Sequence, residues 1–184
     1  MPRSGADARR RLREAALELY RERGFNTTTT AQIAARAGVT ERTYFRHFAD
    51  KREVLFDGEM ELRNTIVSAI ETAPSEESPL NVLTRAFTAS VPLFVAGRSV
   101  AVSRQAIIEV TPALQERAHA KTAALIEAIA AALTARGMPT PSAALAARIG
   151  MVAFRRAVAD WDGTSDDELE QLIRNTVDEV RALD

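Results

Sequence analysis

The 184-residue chain is long enough for one or two domains with a buried core, and with no cysteine it can form neither disulfides nor thiolate metal sites. Its net charge of −1 hides a split. Residues 1–57 carry 12 Lys and Arg against 8 Asp and Glu, whereas residues 58–184 carry 12 against 17, a basic head on an acidic body that suits a protein presenting one end to nucleic acid. No apolar run of bilayer-spanning length and no signal-peptide core stands out, so a soluble cytoplasmic protein with no membrane partner is expected.

Gly and Pro are sparse, Ala is abundant, and no alternating Val/Ile/Thr segment reads as a strand, which predicts an all-α chain. Residues 1–6 are expected to be disordered, and Arg3, Arg9, Arg10, Arg11 and Arg13 form a basic cluster running into the first helix. That cluster is either a solvated face or an arm for phosphates. The first helix, about Asp7 to Arg23, carries the apolar stripe Leu12, Ala15, Ala16, Leu19 and Tyr20. Ile33, Ala34 and Ala37 share one face of a second helix from about Thr30. Gly38 then supplies a positive-φ turn, Val39 plugs it, and Thr40 caps a third helix from Glu41 to Phe48. This third helix is read with Phe45 and Phe48 inward and Glu41, Arg42 and Arg46 outward. The outline is a helix-turn-helix over about residues 30–48, whose second helix lies in the DNA major groove.

A fourth helix is expected from Asp50, with Asp50 and Glu53 at capping-box spacing and Val54, Leu55, Leu62, Ile66 and Ile70 on its apolar face. It would run from the DNA-binding unit into the body. After a loop at 72–79, Ser78 and Pro79 start a fifth helix, which Pro92 kinks or ends near Ser90. Gly97 closes that segment, and a short sixth helix spans Ser99 to about Glu109. Thr111–Pro112 and Thr140–Pro141 start the seventh and eighth helices, and Ser165 with Glu168 starts the ninth. On the eighth helix Leu145, Ile149 and Val152 make one stripe, and Met151, Phe154, Val158 and Trp161 a second. An apolar excess on helices 8 and 9 predicts a homodimer packed through them.

The stretch TTTTAQIAARAGVTERTYFRHFADKREVL closely resembles the DNA-binding signature of TetR-like transcriptional repressors: a Thr-rich lead-in, I-A-x-x-A-G-V, a Ser or Thr cap, a mid-helix aromatic, H-F and a following Lys. The resemblance implies phosphate contacts at Thr28, Thr30, Tyr44, His47 and Lys51. The family pattern has Tyr where this chain has Phe45, and the neighbouring Tyr44, about 100° round the helix, is the open alternative for that hydroxyl contact. Arg46 is a further phosphate candidate. For base readout, Arg42 can bond O6 and N7 of guanine together, Glu41 can accept from a cytosine amine, and Thr43 can touch a base or a thymine methyl; Thr40 lies at the same helix end. The alternative for Glu41 and Arg42 is a solvated face, and for His47 a residue that only packs the turn.

The fold expected is therefore an N-terminal three-helix DNA-binding domain over residues 1–50, then a helical-bundle effector-binding and dimerisation domain over 51–184, with about nine helices in all. The function expected is a dimeric repressor on a pseudo-palindromic operator, released by a small apolar or amphipathic effector. The candidate pocket lining is Phe87, Phe94, Arg104, Ile107, Leu125, Phe154 and Trp161. The body also resembles the C-terminal domain of actinobacterial TetR-like regulators, some of which respond to fatty acyl thioesters. The alternatives are a constitutive DNA-binding regulator with no effector and a helical interaction protein that binds no DNA. Enzyme and metal chemistry are not expected. His47 and His119 are far apart, there is no H-E-x-x-H and no phosphate-cradling Gly loop, and Asp160, Asp162, Asp166 and Asp167 lack the spacing of a calcium loop.

Overall fold

The computed structural model describes residues 5–163 and 165–183, with every side chain among them except that of Ser99. These residues form nine α-helices, one 3-10 turn and no strand. The chain divides into two compact units. The first holds the described residues up to Asp57 together with Ser99–His119, and the second holds Gly58–Arg98 and the residues from Ala120 onward. The first unit thus takes in a segment that the sequence reading assigned to the body.

In the first unit, α1 (Gly5–Arg23) buries the predicted stripe of Leu12, Ala15, Ala16, Leu19 and Tyr20. It begins at Gly5, so residues 5 and 6 are helical rather than disordered; the rest of that expectation, and Arg3, fall outside the described residues. The next helix, α2 (Thr30–Arg36), is fixed at its start by a capping box, with Thr29 Oγ1 accepting from Gln32 N and the Gln32 amide oxygen accepting from Thr29 N. Gly38 has φ +66 and makes the turn; Thr40 Oγ1 then accepts from Thr43 N at 3.2 Å and starts α3 (Glu41–His47). The core between these helices is filled by Leu12, Leu19, Ile33 and Tyr44, with Ile107, Ile108 and Leu114 from the second stretch of the unit. A fully buried Leu or Ile contributes about 1.5–3 kcal/mol, so these residues hold α3 rigid.

The expected long helix from Asp50 does not form. Asp50 Oδ1 does cap the local turn, accepting from Arg52 N at 2.7 Å and Glu53 N at 3.2 Å. Only a 3-10 turn follows, Glu53–Phe56, and α4 (Glu59–Glu71) begins after Gly58 at φ +95. Val54, Leu55 and Phe56 are all buried. Three consecutive inward side chains do not fit one face of an α-helix, whereas a tight turn followed by a left-handed glycine accommodates them.

In the second unit, α5 (Pro79–Ala89) starts as predicted, with Ser78 Oγ accepting from Asn81 N and Pro79 in the first turn. Then α6 (Val91–Glu109) runs straight through Gly97, so the expected stop there and the separate short helix from Ser99 are replaced by one 19-residue helix. Both α6 and α7 (Pro112–Ala135) contribute residues to both units. The last two helices are α8 (Thr140–Asp160) and α9 (Asp166–Arg181), the latter capped by Ser165 Oγ accepting from Glu168 N at 3.1 Å.

The second core gathers Ile66 and Ile70 of α4, Leu83 and Phe87 of α5, Met151 and Phe154 of α8, and Leu169 and Ile173 of α9. Gly150 lets α8 approach α5 closely, because a Cβ there would stand 2.8 Å from Leu83 Cδ1. Against the sequence expectation, one stretch, Pro79–Arg98, reaches the length and mean hydropathy (1.3) of a membrane-crossing helix. It is broken at Ser90 between α5 and α6, and Val82, Leu83, Ala86, Phe87 and Val91 from it lie in the core.

Candidate nucleic-acid interface

The interface is built on α3, and its inner face sets everything else. Tyr44 is fully buried, packs against Phe48 at 5.7 Å between ring centroids, and donates its hydroxyl to the Asp50 carbonyl at 3.0 Å. Burial pushes its phenol pKa well up, so it stays a neutral donor. Phe45 is on the other side, with 53% of its surface exposed. The expected inward Phe45 and outward Tyr44 are therefore exchanged. Tyr44 cannot take over a phosphate contact, because its hydroxyl is spent inside the first unit.

The outer face carries Glu41, Arg42, Phe45 and Arg46, all exposed, with Thr43 half-buried. Neither Arg42 nor Arg46 has a hydrogen bond or ion pair among the described residues. They lie at i and i+4, so the two guanidiniums stand on one face a turn apart. Glu41 is held from the side: Thr30 Oγ1 donates to its Oε1 at 2.5 Å. That bond joins the starts of α2 and α3 and occupies the Thr30 hydroxyl proton.

The remaining predicted contacts divide. Thr40 is exposed, but its oxygen caps α3 and lies 3.1 Å from Thr43 Oγ1. Thr28 is buried, donating to Gly24 O at 2.9 Å, so its side chain is a loop lock and not a surface group. Lys51 does not reach outward as expected. Its ammonium donates to the carbonyls of Phe25, Asn26 and Thr28 at 2.9, 3.3 and 3.1 Å and sits 4.4 Å from the Phe25 ring centroid. Burial lowers its pKa. Lysine is spent here on carbonyls that the loop between α1 and α2 would leave unsatisfied. His47 is half-buried, its Nε2 without a partner, and burial together with Arg46 and Arg9 lowers its pKa. It is a neutral ring at the edge of the core.

The arginines in the first half of α1 behave differently from those of α3. Arg9 meets Asp57 at 2.6 Å and Arg13 meets it at 3.4 Å; Arg10 is held by Asp7 and Glu14; Arg11 pairs with Asp7 and donates to the Ala37 carbonyl. Arg36 of α2 is clamped by Glu18 and Glu22 at 3.1 and 2.9 Å, which hold its guanidinium charged. Among the described residues no group of three or more His, Asp or Glu is arranged to hold a metal.

The candidate effector residues are divided between the two units. Arg104 and Ile107 belong to the first unit, and Ile107 is part of its core. Phe87, Phe94, Leu125, Phe154 and Trp161 belong to the second. Phe87 and Phe154 are buried and stacked at 4.5 Å, with Phe94 edge-on to Phe154 at 5.4 Å, an aromatic core and not an open lining. Trp161 Nε1 donates to the Ser165 carbonyl at 3.0 Å, closing the turn into α9. On α8 the second predicted stripe fills the core, while Leu145, Ile149 and Val152 remain exposed.

Sequence reasoning missed Phe45 as a surface group. The signal was present: Tyr44 and Phe48 are four apart, as good a buried pair as Phe45 and Phe48 three apart.

Residues 12–57 match the family model for bacterial regulatory proteins of the tetR family. Over 74 residues the chain is 40% identical to the HTH-type transcriptional regulator TcmR of Streptomyces glaucescens; that alignment takes in 40% of this chain and only 33% of TcmR. In overall fold it is similar to a putative TetR-family transcriptional regulator from Mesorhizobium loti MAFF303099, with TM-score 0.59 at 19% identity over 98% of each chain. It is also similar to a transcriptional regulator from Aquifex aeolicus VF5, with TM-score 0.57 at 16% identity over 96% of this chain and 99% of that one.

Proposed function

We propose that the chain is a TetR-like transcriptional regulator, a dimeric repressor that places α3 of each protomer in successive major grooves of a pseudo-palindromic operator. The observation that carries this reading is the outer face of α3, where Arg42 and Arg46 are exposed and unpaired while Tyr44 locks the opposite face into the core. A cation left without a carboxylate is available for phosphate or guanine. Arg42, nearest the start of the helix, reads a guanine; Arg46 contacts phosphate; Glu41, steered by Thr30, faces a cytosine amine. Thr40 and Thr43 line the same helix start. A regulator of this kind acts in the cytoplasm, where its operator lies.

The dimer forms through α8 and α9. Leu145, Ile149 and Val152 recur at i, i+4 and i+7, an exposed apolar stripe on a helix whose other face is already committed to the core. A small apolar or amphipathic effector acts on the second unit beside Phe94, Leu125 and Trp161, the partly buried members of its core. It releases the operator only if it binds the non-binding arrangement more tightly. The DNA-binding part of this reading is the first unit, and the second unit supplies the effector and dimer functions.

The test is selection of duplexes from a random pool by the full-length protein, followed by titration at several salt concentrations. A pseudo-palindrome with half-sites about 34–36 Å apart or a multiple of that, bound with a steep salt dependence, supports the reading. Failure to enrich any duplex removes it. Replacing Val152 by Glu should give a monomer in sedimentation and abolish tight operator binding together.

A further inference from the structure

We propose that Phe45 selects a thymine in each half-site by packing its ring against the C5 methyl group. The proposal rests on the DNA-binding reading above. A phenyl ring more than half exposed on a seven-residue helix otherwise anchored in the core is out of place on a monomer's surface. The ring is held in position: it stands edge-on to buried Tyr44, 5.6 Å between centroids at 82°, and Tyr44 is itself tied to the Asp50 carbonyl. Its helix neighbours at i−4 and i−3 are Glu41 and Arg42, the first steered by Thr30 and the second unpaired.

The surface around Phe45 thus combines an acceptor, a forked donor and an apolar plate. Phosphate and sugar offer nothing to the plate, since the ring has no hydrogen-bonding atom. In the major groove the thymine methyl is the apolar feature of the base edges, and it lies beside the donor and acceptor pattern that Arg42 and Glu41 can read. Phe45 therefore distinguishes T from C at one position, where hydrogen bonding by its neighbours does not reach.

The full-length protein is first used to enrich duplexes from a random pool. In the enriched sequence each thymine is then replaced singly by uracil, which removes only the methyl group. We expect one thymine per half-site at which this swap weakens binding by about fourfold, the worth of one buried methyl. Phe45→Ala should be indifferent to that swap, and Phe45→Leu should retain part of it. If no uracil position weakens the unaltered protein, or if Phe45→Ala responds to uracil as the unaltered protein does, the proposal is overturned while DNA binding stands. If no duplex is enriched, the regulator reading fails and this inference goes with it.

Discussion

The first half of α1 and the whole of α3 are both rich in arginine, yet they present opposite surfaces. On α1 the guanidiniums of Arg9, Arg10, Arg11 and Arg13 all end on carboxylates from Asp7, Glu14 and Asp57. On α3 those of Arg42 and Arg46 have no partner among the described residues. The lesson is that a count of basic residues does not locate an interface. What counts is the charge left over after the fold has satisfied itself, and of these six arginines Arg42 and Arg46 are the ones that carry it. The α1 cations instead brace the unit: Arg9 and Arg13 gather on Asp57 just before Gly58, and Arg11 reaches the Ala37 carbonyl at the turn between α2 and α3.

The sharpest way to test this contrast is to undercut α3 from beneath. Tyr44→Ala should cost about 3–5 kcal/mol of stability by opening a cavity under the helix, whereas Phe45→Ala should stay within about 0.5 kcal/mol. Denaturant melts decide it, and equal losses would mean the two rings are misassigned. Next in size, Arg42→Ala should lose about 1–3 kcal/mol of binding to the selected duplex with an unchanged melt. Arg10→Ala on α1 should lose almost none, because an exposed pair such as Arg10–Glu14 contributes little. Matching losses in the two variants, measured by titration at one salt concentration, would erase the distinction between the helices.

Lys51→Ala should lower stability by about 1–2 kcal/mol, since three loop carbonyls lose a charged donor. It should leave the slope of log K against log salt as it was. A flattened slope would return Lys51 to the phosphate-contacting set. The smallest effect concerns His47, whose folded pKa lies below 6.5 because of burial and its arginine neighbours. Below pH 6.5 the unfolded chain takes up the proton first, so stability should fall from there down to the folded pKa and then level off. Above pH 6.5 the ring is neutral in both states and contributes no slope. Melts between pH 7.5 and 5 should show this decline, and His47→Gln should remove it; an unchanged profile would mean the imidazole is solvated.

Much of this architecture was legible because capping chemistry is local. Thr40, Ser78 and Ser165 each accept from the backbone three residues on, as their spacing implied. The helix-turn-helix could be placed to within a residue from Ile33, Gly38 and Thr40. Glycine was harder to read without the fold. Gly97 looked like a stop but lies inside α6, and Gly58, within the span of the expected fourth helix, carries the left-handed turn. The difference is set by what flanks each one: Val54, Leu55 and Phe56 must all turn inward ahead of Gly58, and no such demand is made near Gly97. In the site, the outward Arg42 and Arg46 followed from helix phase, but the facing of Tyr44 and Phe45 did not. Two adjacent aromatics fit Phe48 equally well by spacing, and the Asp50 carbonyl that takes the tyrosine hydroxyl is a tertiary partner. The ammonium of Lys51 was misread for the same reason, since three loop carbonyls claim it only once the chain is folded.

The two-part makeup of the first unit has a practical side. Ile107, Ile108 and Leu114 enter its core from a stretch that begins more than forty positions after Asp57. A gene fragment ending at residue 57 would encode α1 to α3 with a hole in their floor, a product expected to bind a fluorescent hydrophobic dye and to clump. Anyone wishing to graft the outer face of α3 onto another scaffold must carry both stretches or fill the gap with new apolar side chains.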